Sequence, residues 1–164
     1  MSIQIGDSLP DVSLRIMTAS GDQSVATDEL FAGFRVVAFA VPGAFTPSCS
    51  GIHLPSFIDR EQALRAAGAE RILCIAVNDI FVLQAWADIH ETGDGIIMVS
   101  DGNADFARGM GLDQDASGSG MGTRSRRYAM IVDNGIVSWL GVDQPRQVVE
   151  SGADRVLEVL KTLN

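Results

Sequence analysis

Residues 34–49 read Phe34-Arg35-Val36-Val37-Ala38-Phe39-Ala40-Val41-Pro42-Gly43-Ala44-Phe45-Thr46-Pro47-Ser48-Cys49. The first eight are almost continuously apolar and rich in branched and aromatic residues, the pattern of a strand buried on both faces. Pro42-Gly43 ends that run. Thr46 followed by Pro47 reads as an N-cap with proline at N1, so a helix is expected from about Pro47 to Ala67. Two further runs, Arg71 to Val77 and Ile96 to Val99, repeat the buried-strand pattern. Between them Phe81, Val82, Ala85, Trp86 and Ile89 form one helical stripe, with Asn78 as the expected cap, and a short helix covers Ala104 to Met110.

The flanks extend this order. Val12 to Met17 is expected as an early strand before the turn at Ser20-Gly21-Asp22. Thr27 is expected to cap a short helix through Leu30 and Phe31 that Gly33 ends. Arg127–Val132 and Ile136–Leu140 flank Asp133-Asn134-Gly135, a hairpin signal. The glycine-rich stretch Asp115 to Gly122 reads as an exposed or mobile loop. Ser151 with Asp154 resembles a capping box for a last helix through Val156, Leu157, Leu160 and Leu163. The alternation implies an α/β fold with a central mixed sheet flanked by helices, its ligand crevice outside the carboxyl ends of the parallel strands. The chain has 164 residues, close to one ordinary domain, so a single domain over 1–164 is expected.

Composition narrows the function classes. Twenty-one acidic against 12 basic residues give a net charge of −9, which repels phosphate backbones and anionic lipid. Aromatics at 6% leave few base-stacking platforms, so neither nucleic acid nor membrane is an expected partner. Val36 to Phe45, the longest nearly apolar stretch, is half the roughly 20 residues of a membrane helix. Two cysteines, Cys49 and Cys74, make no disulfide scaffold and no metal spacing. No signal peptide is read at Met1–Asp7, and a reducing cytoplasm is the expected location.

Counting from the Thr46 cap, Cys49 falls at N3, inside the first helical turn. Unpaired amides and the positive dipole end favour a thiolate there, although a small buried cysteine would fit the same position. His53 lies four residues on and reads as a satisfied structural histidine rather than half of a hydrolase dyad. Pro55 should bend that helix against the carbonyl of Gly51. His90, near a helix end, reads as a capping charge. In the cluster Arg124-Ser125-Arg126-Arg127, the first and third arginines read as solvated. Arg127 instead shares a strand face with Ala129 and Ile131, where a guanidinium could hold a thiol ionised. Cys74 reads as a buried hydrophobe about 15 Å below the strand's carboxyl edge and far from Cys49.

Pro42-Gly43-Ala44-Phe45-Thr46-Pro47-Ser48-Cys49-Ser50 resembles the active-site segment of the type II (atypical) peroxiredoxins. His53-Leu54-Pro55, Val77-Asn78-Asp79 with Ala85-Trp86-Ala87, and Arg124 to Ala129 resemble the same subfamily in order. The resemblance implies a thioredoxin-like fold with an N-terminal strand extension, peroxide reduction and a homodimer. It makes Cys49 the peroxidatic thiol, Thr46 its hydroxyl partner, Arg127 the active-site arginine and Pro42 the shield against water. The substrates implied are hydrogen peroxide and alkyl hydroperoxides. No cofactor is implied beyond a co-substrate thiol, with glutathione and glutaredoxin ahead of thioredoxin. The stretch from Pro145 to Asp154 lacks the resolving cysteine of some relatives, Ser151 standing about there, whereas Cys74 matches a second cysteine found in others. A non-peroxidatic redox, chaperone or interaction module of the same fold is the alternative reading.

Overall fold

The computed structural model describes residues 1–164. Its frame is one seven-stranded sheet. In chain order the strands are β1 (Ser13–Thr18), β2 (Gly21–Ala26), β3 (Arg35–Val41), β4 (Arg71–Ala76) and β5 (Ile97–Ser100), then β6 (Asp113–Asp115), β7 (Thr123–Ser125), β8 (Tyr128–Asp133) and β9 (Ile136–Val142). The large sheet runs β2-β1-β5-β4-β3-β8-β9, and β6 and β7 pair separately. The apolar runs become the central strands: β3, β4 and β5 are parallel, joined by crossover helices α2 (Leu54–Ala66) and α3 (Ile80–His90). α1 (Thr27–Phe31), α4 (Asp105–Met110) and α5 (Ala153–Leu163) complete the layers. This is the mixed α/β, thioredoxin-like architecture that the sequence led us to expect. No helix is long and apolar enough to cross a membrane.

Strand alternation divides β3 and β8 between two cores. Val37, Phe39 and Val41 with Ala129 and Ile131 enter one cluster, against α2, α3 and α5; Val36, Ala38 and Ala40 with Tyr128, Met130 and Val132 enter the other. β8 runs antiparallel to β3 with Tyr128 opposite Ala40. The residue that enters β8, Arg127, therefore lies at the end where β3 finishes and the Pro42 loop begins. The β8–β9 turn takes positive φ at Asn134 and Gly135, 50° and 78°, as a two-residue hairpin turn requires.

Several expected local features are replaced. The stretch read as a turn at 20–22 continues into β2, where only Val25 is buried. Its polar sequence carries no strand period, and six residue pairs with β1 impose the conformation instead. Thr27 does not cap α1, because its hydroxyl donates to the Val12 carbonyl and Ala26 holds the cap position. Asp79, not Asn78, caps α3 by accepting from the Val82 amide. Ser151 does not cap α5; Gly152 stands there and the serine hydroxyl turns to Asp143. The largely exposed glycine-rich loop holds a short 3₁₀ turn and is closed by the β6–β7 pair.

Candidate active site

The loop after β3 is tied down before it reaches Cys49. The Ala44 amide donates to Asn78 Oδ1 at 2.9 Å, which spends the asparagine that would have capped α3. Arg124 donates to the carbonyls of Met121 and Val77, so it is a clamp and not the solvated charge expected. A Cβ on Gly43 would stand 3.2 Å from both Met121 and Thr46, so glycine suits this close approach. The Thr46 hydroxyl donates to the Gly43 carbonyl at 2.6 Å; it closes the loop on itself and caps no amide.

The chain turns helical at Pro47, as the Thr-Pro pair predicts, but the next turn is widened. Cys49–His53 is a π-type turn in which the Leu54 amide donates to the Cys49 carbonyl, and regular helix resumes at Leu54. The physical cause is legible: Pro55 has no N–H to give Gly51 and its ring crowds that carbonyl, and a wider turn relieves both. The expected bend is thus a local expansion, and it carries Cys49 and His53 at its two ends.

Both ends are fully buried, and Arg127 bridges them. Its Nη2 donates to Cys49 Sγ at 3.1 Å and its Nη1 donates to His53 Nδ1 at 2.8 Å. A charge-assisted donor of this kind is the contact that a thiolate accepts best. Arg127 Nε is buried without a partner. His53 Nε2 lies 2.9 Å from the Ser151 carbonyl. Burial first, and the neighbouring guanidinium second, push the His53 pKa down to about 3, so the ring stays neutral. A cavity of about 630 Å³ reaches Arg127 from outside, lined among others by Pro42, Thr46, Arg126, Arg127 and Arg146. Arg126, expected to be solvated, therefore faces that cavity. No cluster of three or more His, Cys, Asp or Glu comes together in a metal-ligating arrangement.

Cys74 is buried at mid-strand, as expected, yet not far below the edge. β4 ends at Ala76, so Cys74 lies about 7 Å from that end rather than about 15 Å. It belongs to the same apolar cluster as Cys49, and both thiols are free. Burial above all, with a smaller push from Cys49, drives the Cys74 pKa well up, against a weaker pull from Arg127.

Comparison with known proteins identifies the family. Residues 4–157 match the Redoxin family model. Peroxiredoxin-2E-2, chloroplastic, of Oryza sativa subsp. japonica is 42% identical over 97% of this chain and 73% of its own. The chain belongs to the peroxiredoxin family. Peroxiredoxin-2C of the same plant is 39% identical over 96% of this chain and 98% of its own. Reduced Prx3 of Vibrio vulnificus in complex with H2O2 superposes with a TM-score of 0.93 at 43% identity, covering 96% of this chain and 99% of that one. The activity is accordingly that of a peroxiredoxin, a thiol peroxidase.

Sequence reasoning brought forward Cys49, Thr46, Arg127 and Pro42. Arg127 reaches Cys49, and Pro42 and Thr46 line the cavity beside it. Sequence missed Asn78 as a loop tether and passed over His53, whose contact with Arg127 joins residues 74 apart in sequence.

Proposed function

We propose that Cys49 is the peroxidatic thiol, acting on hydrogen peroxide and alkyl hydroperoxides and recycled by an external thiol. The observation that carries this is the 3.1 Å contact from Arg127 Nη2 to Cys49 Sγ, made by an arginine that also lines a cavity. The Cys49 thiolate attacks one peroxide oxygen; the S–O bond forms as the O–O bond breaks. The sulfur becomes a sulfenic acid, and the leaving oxygen takes up a proton as water or an alcohol. Arg127, with its unpaired Nε, supplies donors whose bonds strengthen as charge builds on the leaving oxygen, and the Thr46 hydroxyl, its proton given to the Gly43 carbonyl, offers the peroxide O–H an acceptor. Pro42 excludes water from the sulfur. No cofactor takes part in this scheme.

A small thiol then condenses with the sulfenic acid and releases water; a second thiol reduces the mixed disulfide. Glutathione suits this step. The sulfur is buried, a small molecule fits the cavity, and Arg126 and Arg146 on its walls complement carboxylates. Glutaredoxin would follow on the mixed disulfide, and thioredoxin ranks second because a protein thiol must first reach a covered sulfur. Phe45, Ile52, Phe81 and Ile89 remain exposed, which supports pairing as a homodimer, measurable by sedimentation. The deciding experiment measures peroxide consumption by wild type and Cys49→Ser, with glutathione plus glutaredoxin and separately with thioredoxin. Turnover by Cys49→Ser would end the reading; turnover with thioredoxin alone would reassign the reductant.

A further inference from the structure

Beyond the thiol and its arginine, a closed ring of hydrogen bonds stands behind the guanidinium. A carbonyl can only accept, so the 2.9 Å contact of His53 Nε2 with Ser151 makes that nitrogen the protonated one. Nδ1 of the neutral ring is then a bare acceptor, and Arg127 Nη1 donates into it at 2.8 Å. The Ser151 carbonyl is held in turn. The Ser151 amide and hydroxyl both donate to Asp143 Oδ2, while the Val149 and Glu150 amides donate to Oδ1 at 3.0 and 2.8 Å. The Asp143 amide donates to the Arg127 carbonyl at 3.0 Å, which closes the circuit on the residue it supports. Phe39 and Phe57 wall the imidazole, with ring centroids at 5.1 and 5.6 Å.

We propose that His53 is a positioning residue: locked in its Nε2–H form by the Asp143–Ser151 anchor, it fixes the plane of the Arg127 guanidinium against Cys49. The inference rests on Cys49 being the reacting thiol. A neutral acceptor has a specific advantage over the carboxylate that commonly partners arginine. A carboxylate would cancel the guanidinium charge, whereas the imidazole orients it and leaves the full charge for the sulfur and the departing oxygen. The other tautomer, or a protonated ring, would set an N–H against the Nη1–H donor and break the ring of bonds.

The test compares His53→Leu, which removes the acceptor, with His53→Asn, whose side-chain oxygen can stand near the Nδ1 position. Both are made on a Cys74→Ser background so that Cys49 alone is read. The readouts are the pH profile of Cys49 alkylation by intact mass and the stopped-flow rate of oxidation by peroxide. His53→Leu should move the alkylation profile to higher pH and slow oxidation by about 10- to 100-fold. His53→Asn should recover most of both. Equal loss in the two variants at unchanged thermal stability, or no loss in either, would overturn the proposal. If His53→Leu fails to fold, ¹⁵N-histidine NMR of the unsubstituted protein decides. A bare Nδ1 and protonated Nε2 at about pH 5 support it, and a cationic or Nδ1–H ring there overturns it. Alkylation reads the His53–Arg127 link whether or not Cys49 turns over peroxide, so failure of the peroxidatic assignment remains distinguishable.

Discussion

Cys49 and Cys74 are equally buried, at 0% exposure, and share one apolar cluster, yet their polar surroundings differ. Cys49 opens a widened helical turn and receives a hydrogen bond from Arg127. Cys74 sits inside β4, its backbone flanked by Phe39 and Met98, and burial drives its thiol away from ionisation. Burial therefore does not distinguish the two thiols. A charged donor within reach does, and that donor is delivered by an antiparallel strand joining the sheet beside β3.

The strongest way to break this contrast is to exchange the sulfurs one at a time. Cys49→Ser should reduce peroxide consumption to background while Cys74→Ser keeps turnover within about twofold of wild type, because a hydroxyl is a poor nucleophile at neutral pH. A Cys49–Cys74 bridge by intact mass after one equivalent of peroxide, with lost turnover in Cys74→Ser, would make Cys74 a resolving residue. Next in size is Arg127→Lys. It retains the charge but cannot reach sulfur and His53 together from one planar fork, so stopped-flow oxidation should slow by about 10- to 100-fold.

Acid should expose the same region through stability. The His53 pKa lies near 3 in the fold against an ordinary 6.5, so below 6.5 the unfolded chain binds the extra proton first. Urea-derived stability should fall as pH drops from 6.5 towards 3, by about 1.4 kcal/mol per pH unit from this group. His53→Asn should flatten that slope. Asp143 pulls the same way at lower pH. Burial raises its carboxyl, but the hydrogen bonds from Ser151, Glu150 and Val149 together outweigh this and hold it low, and their stabilisation is lost on protonation. Among the smaller effects, Thr46→Val should cost about 1 kcal/mol by chemical denaturation through loss of the bond to the Gly43 carbonyl, and should slow oxidation as well. The smallest signal belongs to Cys74. Iodoacetamide should modify Cys49 in the folded protein and leave Cys74 untouched until denaturant is added.

Much of this was legible along the chain. The apolar runs at 34–41, 71–77 and 96–99 fixed the central parallel strands, because a strand buried on both faces admits almost no polar residue. Thr46-Pro47 announced the helix that carries Cys49, and strand parity put Arg127 on the correct face. Local sequence could not find β2, whose polar residues become a strand only through pairing with β1. Nor could it assign the caps. Asn78, Thr27 and Ser151 all had suitable side chains, but each found a partner distant in sequence, at Ala44, Val12 and Asp143.

The sequence by itself determined the layers of the fold, the helix start at the thiol and the face on which the arginine enters. Periodicity, proline and short polar caps act over a few residues and need no distant partner. Tertiary structure alone decided that Arg127 touches both Cys49 and His53, that burial keeps the imidazole neutral, and that burial pushes the Cys74 thiol pKa up. Those properties depend on hydrogen bonds across β3, β8 and the segment before α5, and on desolvation that exists only once the two cores have closed.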